Sequence, residues 1–262
     1  MSGPPGAPAR PRAADPTGEA TLEVFRESPA YTEFLWERLS GISPRPCAGR
    51  VLEVGCGLGN LTRLILRSPA VERLHAIDLE PAYVERLRRE IADPRLSAEA
   101  ARAEQFSPEE FRGEERGFDF VVSSNVLEHI EDDAAALANF RAMLRPSGLV
   151  LVLVPAHPAL YSSLDRALSH HRRYRPEDLE RVARAASLAV LRERHFNPLG
   201  ALGWWLNGKV LRRTKLSRGQ VALYSRWGLG LSRWLDRWNP LPIGVSLIAA
   251  LAPKGLAPPD RP

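Results

Sequence analysis

At 262 residues, 44% of them hydrophobic and 26% charged, the chain has the length and composition of a globular protein with one large core, or one core and an added subdomain. Its net charge of +5 is concentrated: residues 198–244 hold eight basic residues against one acid, so the excess describes one segment and does not by itself point to nucleic acid. Two cysteines, Cys47 and Cys56, exclude a disulfide framework, and the longest apolar runs fall short of the roughly 18 residues a spanning helix needs.

Residues 1–18 are rich in proline, glycine and alanine and lack an apolar core, so we expect a disordered tail, no secretory leader and a cytoplasmic location. Residues 19–47 are expected to form a helical cover, with Leu22, Phe25, Phe34, Leu35 and Leu39 on an apolar face broken at Pro29. Val51, Leu52 and Val54 make an apolar run of strand length; Gly55, Gly57 and Gly59 follow, and residues 61–66 read as the start of a helix. Strand, glycine turn and helix in that order form a ligand-binding corner, because glycine accepts positive φ and puts no Cβ between backbone and ligand. The spacing E-x-G-x-G-x-G from Glu53 to Gly59 is not the dinucleotide fingerprint, and without a following lysine it is not a P-loop. Cys56, inside the turn, reads as a small residue beneath a ligand rather than a nucleophile.

This acidic glycine turn resembles the first motif of the class I S-adenosylmethionine-dependent methyltransferases. The ligand type suits it, since a sulfonium cofactor with an ammonium group wants carboxylates and other acceptors. The resemblance implies that Glu53, Gly55, Cys56, Gly57 and Gly59 hold the cofactor, and that Tyr31 in the helical cover is a contact for the methyl acceptor.

Residues 74–78 form a second apolar run ending in Asp78, about 20 residues past the glycines, where an acid reaches the hydroxyls of a ribose. Asp78, with Leu79 beside it, is therefore a cofactor candidate, and it also reads as an N-cap for the helix that starts at Pro81. Residues 98–106 are expected to hold the third strand and its exit loop. The family places an adenine-binding acid there; this chain has Arg102, so Ala103 and Glu104 are the candidates. Residues 118–122 are the fourth strand, and the following S-S-N-V-L-E-H-I resembles motif II of small-molecule and ubiquinone-type methyltransferases, with Asn125 facing the cofactor. Glu128 and His129 are read as shaping that loop, and Asp132 or Asp133 as capping the next helix.

Residues 148–154 are apolar on both faces, as a central parallel strand should be. His157 and Tyr161 follow at its carboxyl end, then His170, His171, Arg172, Arg173 and Tyr174, which resemble the H-x-R-R-Y segment of a bacterial subgroup of these enzymes. His157, Tyr161, His170 and His171 are candidates for a general base, and His157, Tyr161, Arg172, Arg173 and Tyr174 for acceptor contacts. The histidines lack carboxylate or cysteine ligands at a usual spacing, so no metal is expected. Residues 188–196 and 245–252 are the sixth and seventh strands.

The expected fold is thus α/β, a doubly wound, seven-stranded Rossmann-like sheet: a cofactor-binding core over residues 48–197, a helical lid over 198–244, and the last strand with a flexible tail over 245–262. The lid carries Trp204 and Trp205 as further acceptor contacts. The resemblance implies an S-adenosylmethionine-dependent methyltransferase of bacterial secondary metabolism. Its acceptor is expected to be small and amphiphilic, a lipid, isoprenoid or prenyl diphosphate with an anionic head near residues 170–175. The alternative is a methyltransferase-fold binding protein without turnover that docks to a membrane surface or a partner through the lid. Nucleic acid is not expected as a partner.

Overall fold

The computed structural model describes residues 16–106, 111, 117–238 and 242–255. The ends of the two expected tails, 1–15 and 256–262, lie outside the described residues. Seven strands form one sheet in the order β3-β2-β1-β4-β5-β7-β6. They are β1 Gly49–Val54, β2 Val71–Asp78, β3 Leu96–Ala100, β4 Phe118–Ser124, β5 Leu144–Pro155, β6 Leu188–Phe196 and β7 Ser246–Pro253. Strands β1 to β5 pair in parallel, and β7 runs antiparallel between β5 and β6. The winding reverses between β1 and β4, the kind of switch point at which doubly wound sheets bind ligands beyond the carboxyl ends of their strands.

Strand alternation feeds two apolar layers. Leu52, Val150, Val152 and Val154 point to one face, under α5 (Asp133–Met143) and α7 (Pro176–Ala185). Val51, Leu149, Leu151 and Leu153 point to the other, under α2 (Pro29–Gly41) and α3 (Asn60–Leu66). Burial on both faces is why β5 is apolar at every position from Leu149 to Val154. β5 begins at Leu144, four residues before the apolar run, because Leu144 already pairs with Phe118 across an irregularity in the ladder.

The helical cover is two helices, α1 (Pro16–Arg26) and α2, broken at Pro29 as expected; α1 starts earlier than residue 19, inside the segment read as tail. The helix after β2, α4 (Pro81–Glu90), has Glu80 rather than Asp78 as its N-cap. Asp132 caps α5, accepting from Ala135 N at 2.9 Å. A short helix α6 (Ser163–Ala167) precedes the H-x-R-R-Y segment.

The segment between β6 and β7 is helical. α8 (Pro198–Trp204) continues as a wider turn over Trp205–Val210, and α9 (Arg218–Leu223) runs through Tyr224–Gly228 into α10 (Leu229–Arg237). Buried polar groups fasten it. Asp236 pairs with Arg38 of α2 at 2.9 Å and with Arg194 of β6 at 3.5 Å, and accepts from Asn197 N at 3.1 Å. Asn197 Oδ1 in turn accepts from Gly200 N, the Tyr224 hydroxyl and Ser232 Oγ. Among the described residues no helix is long and apolar enough to cross a membrane.

Candidate functional site

The glycine turn leaves β1 and enters α3 with Gly55 at φ 79° and Gly59 at φ 75°. A Cβ would strike Val126 at the first position and Leu87 at the second, so both backbone angle and space demand glycine. Gly57 lies under α1, where an added Cβ would stand 3.2 Å from Leu22 Cδ1. α1 therefore roofs the turn, held by Arg86 to Glu23 at 2.6 Å and Arg26 to Glu90 at 2.9 Å.

Two carboxylates meet at this corner. Glu53 is buried near the carboxyl end of β1, and its Oε2 accepts from Thr62 Oγ1 at 2.6 Å. Burial, against the opposing pull of that hydroxyl, pushes its carboxyl up to about 8, and nearby Asp78 adds to the rise. Asp78 accepts from Gly57 N at 2.8 Å through one oxygen and from Glu80 N at 3.0 Å through the other. Burial raises its carboxyl as well, against these amides. Burial and the two carboxylates push the Cys56 thiol up, which keeps it a neutral side chain under the turn.

This donor set fits S-adenosylmethionine. A costly buried carboxylate at Glu53 would be relieved by an ammonium, Asp78 could offer oxygens to a diol at the end of the next strand, and the glycines leave the backbone bare between them. Leu79, 47% exposed, supplies an apolar wall next to Asp78. The β3 exit loop is pinned by Asn139, which donates to the carbonyls of Ala103 and Phe106, while Glu104 pairs with Arg102 at 2.6 Å. Asn125 stands exposed at the end of β4 with φ 55°, its N–H bound to Leu153 O.

On the acceptor side the structure sorts the candidates. Arg173 and Tyr174, expected as acceptor contacts, are buried and engaged within the protein. Arg173 donates to Asp165 Oδ1 at 2.6 Å and to Ala156 O at 2.8 Å, and the Tyr174 hydroxyl donates to Asp133 at 2.8 Å. Arg172 pairs with the same Asp133 at 2.9 Å. The chain turns Arg173 and Tyr174 inward, where both are buried. The Tyr161 hydroxyl donates to His170 O, and His171 is exposed, its backbone N–H bound to Glu128 O. His157 stacks on His195 with ring centroids 4.7 Å apart, and burial, aided by Arg173, lowers its pKa. Tyr31 is packed between Phe25 and Tyr224, joining the cover to the helical insertion. Trp204 points inward and donates to Asp165 at 3.0 Å, while Trp205, about 100° round the helix, points outward and is 46% exposed.

His170 is the best organised of the base candidates. Its Nδ1 lies 3.1 Å from Asp165 and its Nε2 3.9 Å from Glu128. Asp165 is held at about 2: burial opposes this, but His170, Arg173 and Trp204 outweigh it. Glu128 is fully buried, neither oxygen accepts a hydrogen bond among the described residues, and burial raises it to about 7. The expectation that no carboxylate stands near the histidines is overturned here, since Glu128, His129 and His170 bring one ligand-type atom each within 4.8 Å of one another. Asp165 and Glu128 are functional candidates that sequence reasoning passed over. Asp165 lies five residues before His170, and Glu128 stood in a motif read as loop-shaping.

Comparison with known proteins agrees with this geometry. A methyltransferase-domain family model matches residues 24–198, well over half of the chain. A ubiquinone biosynthesis O-methyltransferase from Methylocella silvestris is 37% identical over 109 residues, 41% of this chain and 41% of that enzyme's length. Its counterpart from Pasteurella multocida is 24% identical over 75% of this chain and 87% of its own. Among solved structures, a complex of a methyltransferase with the Haloferax volcanii Trm112 methyltransferase activator gives a TM-score of 0.61 at 15% identity, covering 92% of this chain and 99% of that one. A geranyl diphosphate methyltransferase gives 0.59 at 15% identity, covering 93% and 92%. These structural likenesses concern the fold.

Proposed function

The chain belongs to the class I S-adenosylmethionine-dependent methyltransferases, and from that premise we propose that it methylates a small amphiphilic acceptor, an isoprenoid or lipid-like molecule with a proton-bearing head. The bound cofactor supplies an activated methyl group on a sulfonium. Glu53, oriented by Thr62, meets the ammonium; Asp78 meets the ribose; Leu22 and Leu79 exclude water. His170, with Nδ1 fixed by Asp165, takes the acceptor's proton at Nε2, and the adjacent Glu128 carboxylate steadies the resulting imidazolium.

The observation that carries the reading is the meeting of Glu53 near the end of β1, Asp78 at the end of β2 and the glycine turn beside them, at the carboxyl edge of the sheet next to its switch point. The inward Trp204, tied to Asp165, supports an acceptor with an apolar body, as does a relative named for ubiquinone biosynthesis. The anionic head expected near residues 170–175 has lost its main support, because Arg172 and Arg173 are engaged by Asp133 and Asp165. The test is calorimetry with S-adenosylhomocysteine, followed by transfer of labelled methyl to prenyl diphosphates, polyprenyl phenols and fatty acids. Absence of S-adenosylhomocysteine binding refutes the cofactor site. Binding with transfer only to a polymer such as RNA or protein refutes the acceptor class.

A further inference from the structure

The helical insertion is built inside out. Along α9 and α10 the side turned to the protein carries Val221, Leu229, Ser232 and Asp236, and half of those are polar. The solvent side carries Leu223, Trp227, Leu231, Trp234 and Trp238, exposed by 63, 69, 49, 60 and 66%. Their spacing of four, four, three and four residues places them in one continuous stripe. The preceding helix repeats the pattern, with Leu202, Trp205, Leu206 and Val210 all exposed and Ala201, Asn207 and Gly208 buried. Single exposed leucines need no explanation, but two adjacent helices presenting their apolar sides to water do.

The accessible charge of this segment is of one sign. Lys209, Arg212, Arg213, Lys215, Arg218, Arg226, Arg233 and Arg237 share the segment with one acid, Asp236, which is fully buried. Arg218 and Arg233 reach Glu27 and Glu37 of the cover; among the described residues the other six have no carboxylate partner. Arg226 lies over the ring of Trp227 at 5.3 Å and Arg237 over Trp238 at 5.9 Å.

We infer that this face docks on a lipid bilayer bearing anionic headgroups. Indoles and aliphatic side chains enter the interfacial layer, and the flanking arginines and lysines meet the phosphates, a division of labour that needs both features side by side. A second copy of the chain fits less well, since a two-fold contact would set cations against cations. Nucleic acid matches the charge but leaves the leucines and valines between the tryptophans without partners. The inference does not depend on the identity of the methyl acceptor.

The test is co-sedimentation of the full chain with phosphatidylcholine vesicles, alone or with about one third phosphatidylglycerol, together with the shift in tryptophan emission. We expect binding to the anionic vesicles at least about tenfold tighter than to the neutral ones, weakened by salt. W227S/W234S should lose at least about tenfold of that binding, and R212E/K215E should lose about fivefold per residue. Both should keep the wild-type melting temperature and S-adenosylhomocysteine affinity, which separates this outcome from misfolding and from failure of the cofactor site. Equal partitioning of wild type and W227S/W234S refutes the inference. So does a wild type whose apolar face is covered by concentration-dependent dimerisation that W227S/W234S abolishes.

Discussion

Replacing Glu53 by glutamine tests whether the carboxylate at the cofactor corner is held at a cost. An ordinary glutamate titrates near 4.5, whereas buried Glu53 sits at about 8. A folded-state value above the unfolded one means that the protonated form carries the stability. The contribution is complete below 4.5, declines as pH rises and is gone above 8. The whole difference corresponds to about 5 kcal/mol, of which about 3 kcal/mol is lost between pH 6 and pH 9. At about 2–4 °C per kcal/mol for a chain of this size, the wild type should lose roughly 6–12 °C of melting temperature over that range through this group. E53Q carries an uncharged amide on the same stem and should escape that loss. The assay is thermal unfolding of both proteins, without cofactor, at pH 6 and pH 9, read as the difference of differences so that Asp78 and other groups cancel. A gap between wild type and E53Q that is the same at both pH values would refute the reasoning. S-adenosylhomocysteine, which carries the ammonium, should stabilise the wild type more at pH 9 than at pH 6 and E53Q about equally at both.

Asp78→Asn should lower S-adenosylhomocysteine affinity roughly 10- to 100-fold by calorimetry, the worth of charge-assisted hydrogen bonds; unchanged affinity would remove Asp78 from the site. Arg173→Met leaves Asp165 buried without its guanidinium and should cost about 3–5 kcal/mol in urea unfolding, while D165L/R173M should recover part of that loss. Because Asp165 is held at about 2, its contribution to stability is present above its ordinary value near 3.8 and is lost as pH falls through 2, so acid unfolding of Asp165→Asn should show a shallower dependence in that range. Gly59→Ala forces a side chain into φ 75° against Leu87 and should cost about 1–3 kcal/mol. Gly41→Ala, with nothing within 4 Å, should be neutral or stabilising by up to about 1 kcal/mol.

The sheet was legible because its signals are local. Apolar runs ending in Gly55, Asp78, Ser124 and Pro155 mark the carboxyl edges of four neighbouring strands, and the glycine spacing marks the corner between two of them. The residues 144–147 of β5 were not legible, since Arg145, Pro146 and Ser147 lack strand character and join the strand through pairing at its start. The acceptor side was harder still. Glu128, Asp165, His170 and Arg173 meet only because the loops after β4 and β5 converge, and no spacing in the chain encodes that meeting. An arginine in sequence looks the same whether it faces water, as Arg175 does, or a buried carboxylate, as Arg173 does. Trp204 and Trp205 illustrate the same limit, with one bonded to Asp165 and its neighbour turned out to solvent.

The placement of β7 bears on how the molecule is made. β6 touches the rest of the sheet only through β7, which lies fifty residues further along the chain than the last residue of β6. While a ribosome is still delivering the intervening helices, β5 has a bare hydrophobic edge and β6 lacks its one strand partner among the described residues. Nascent polypeptide arrested before Ser246 is therefore expected to be sticky and protease-sensitive on that flank, and the arrival of β7 is the step that seals it.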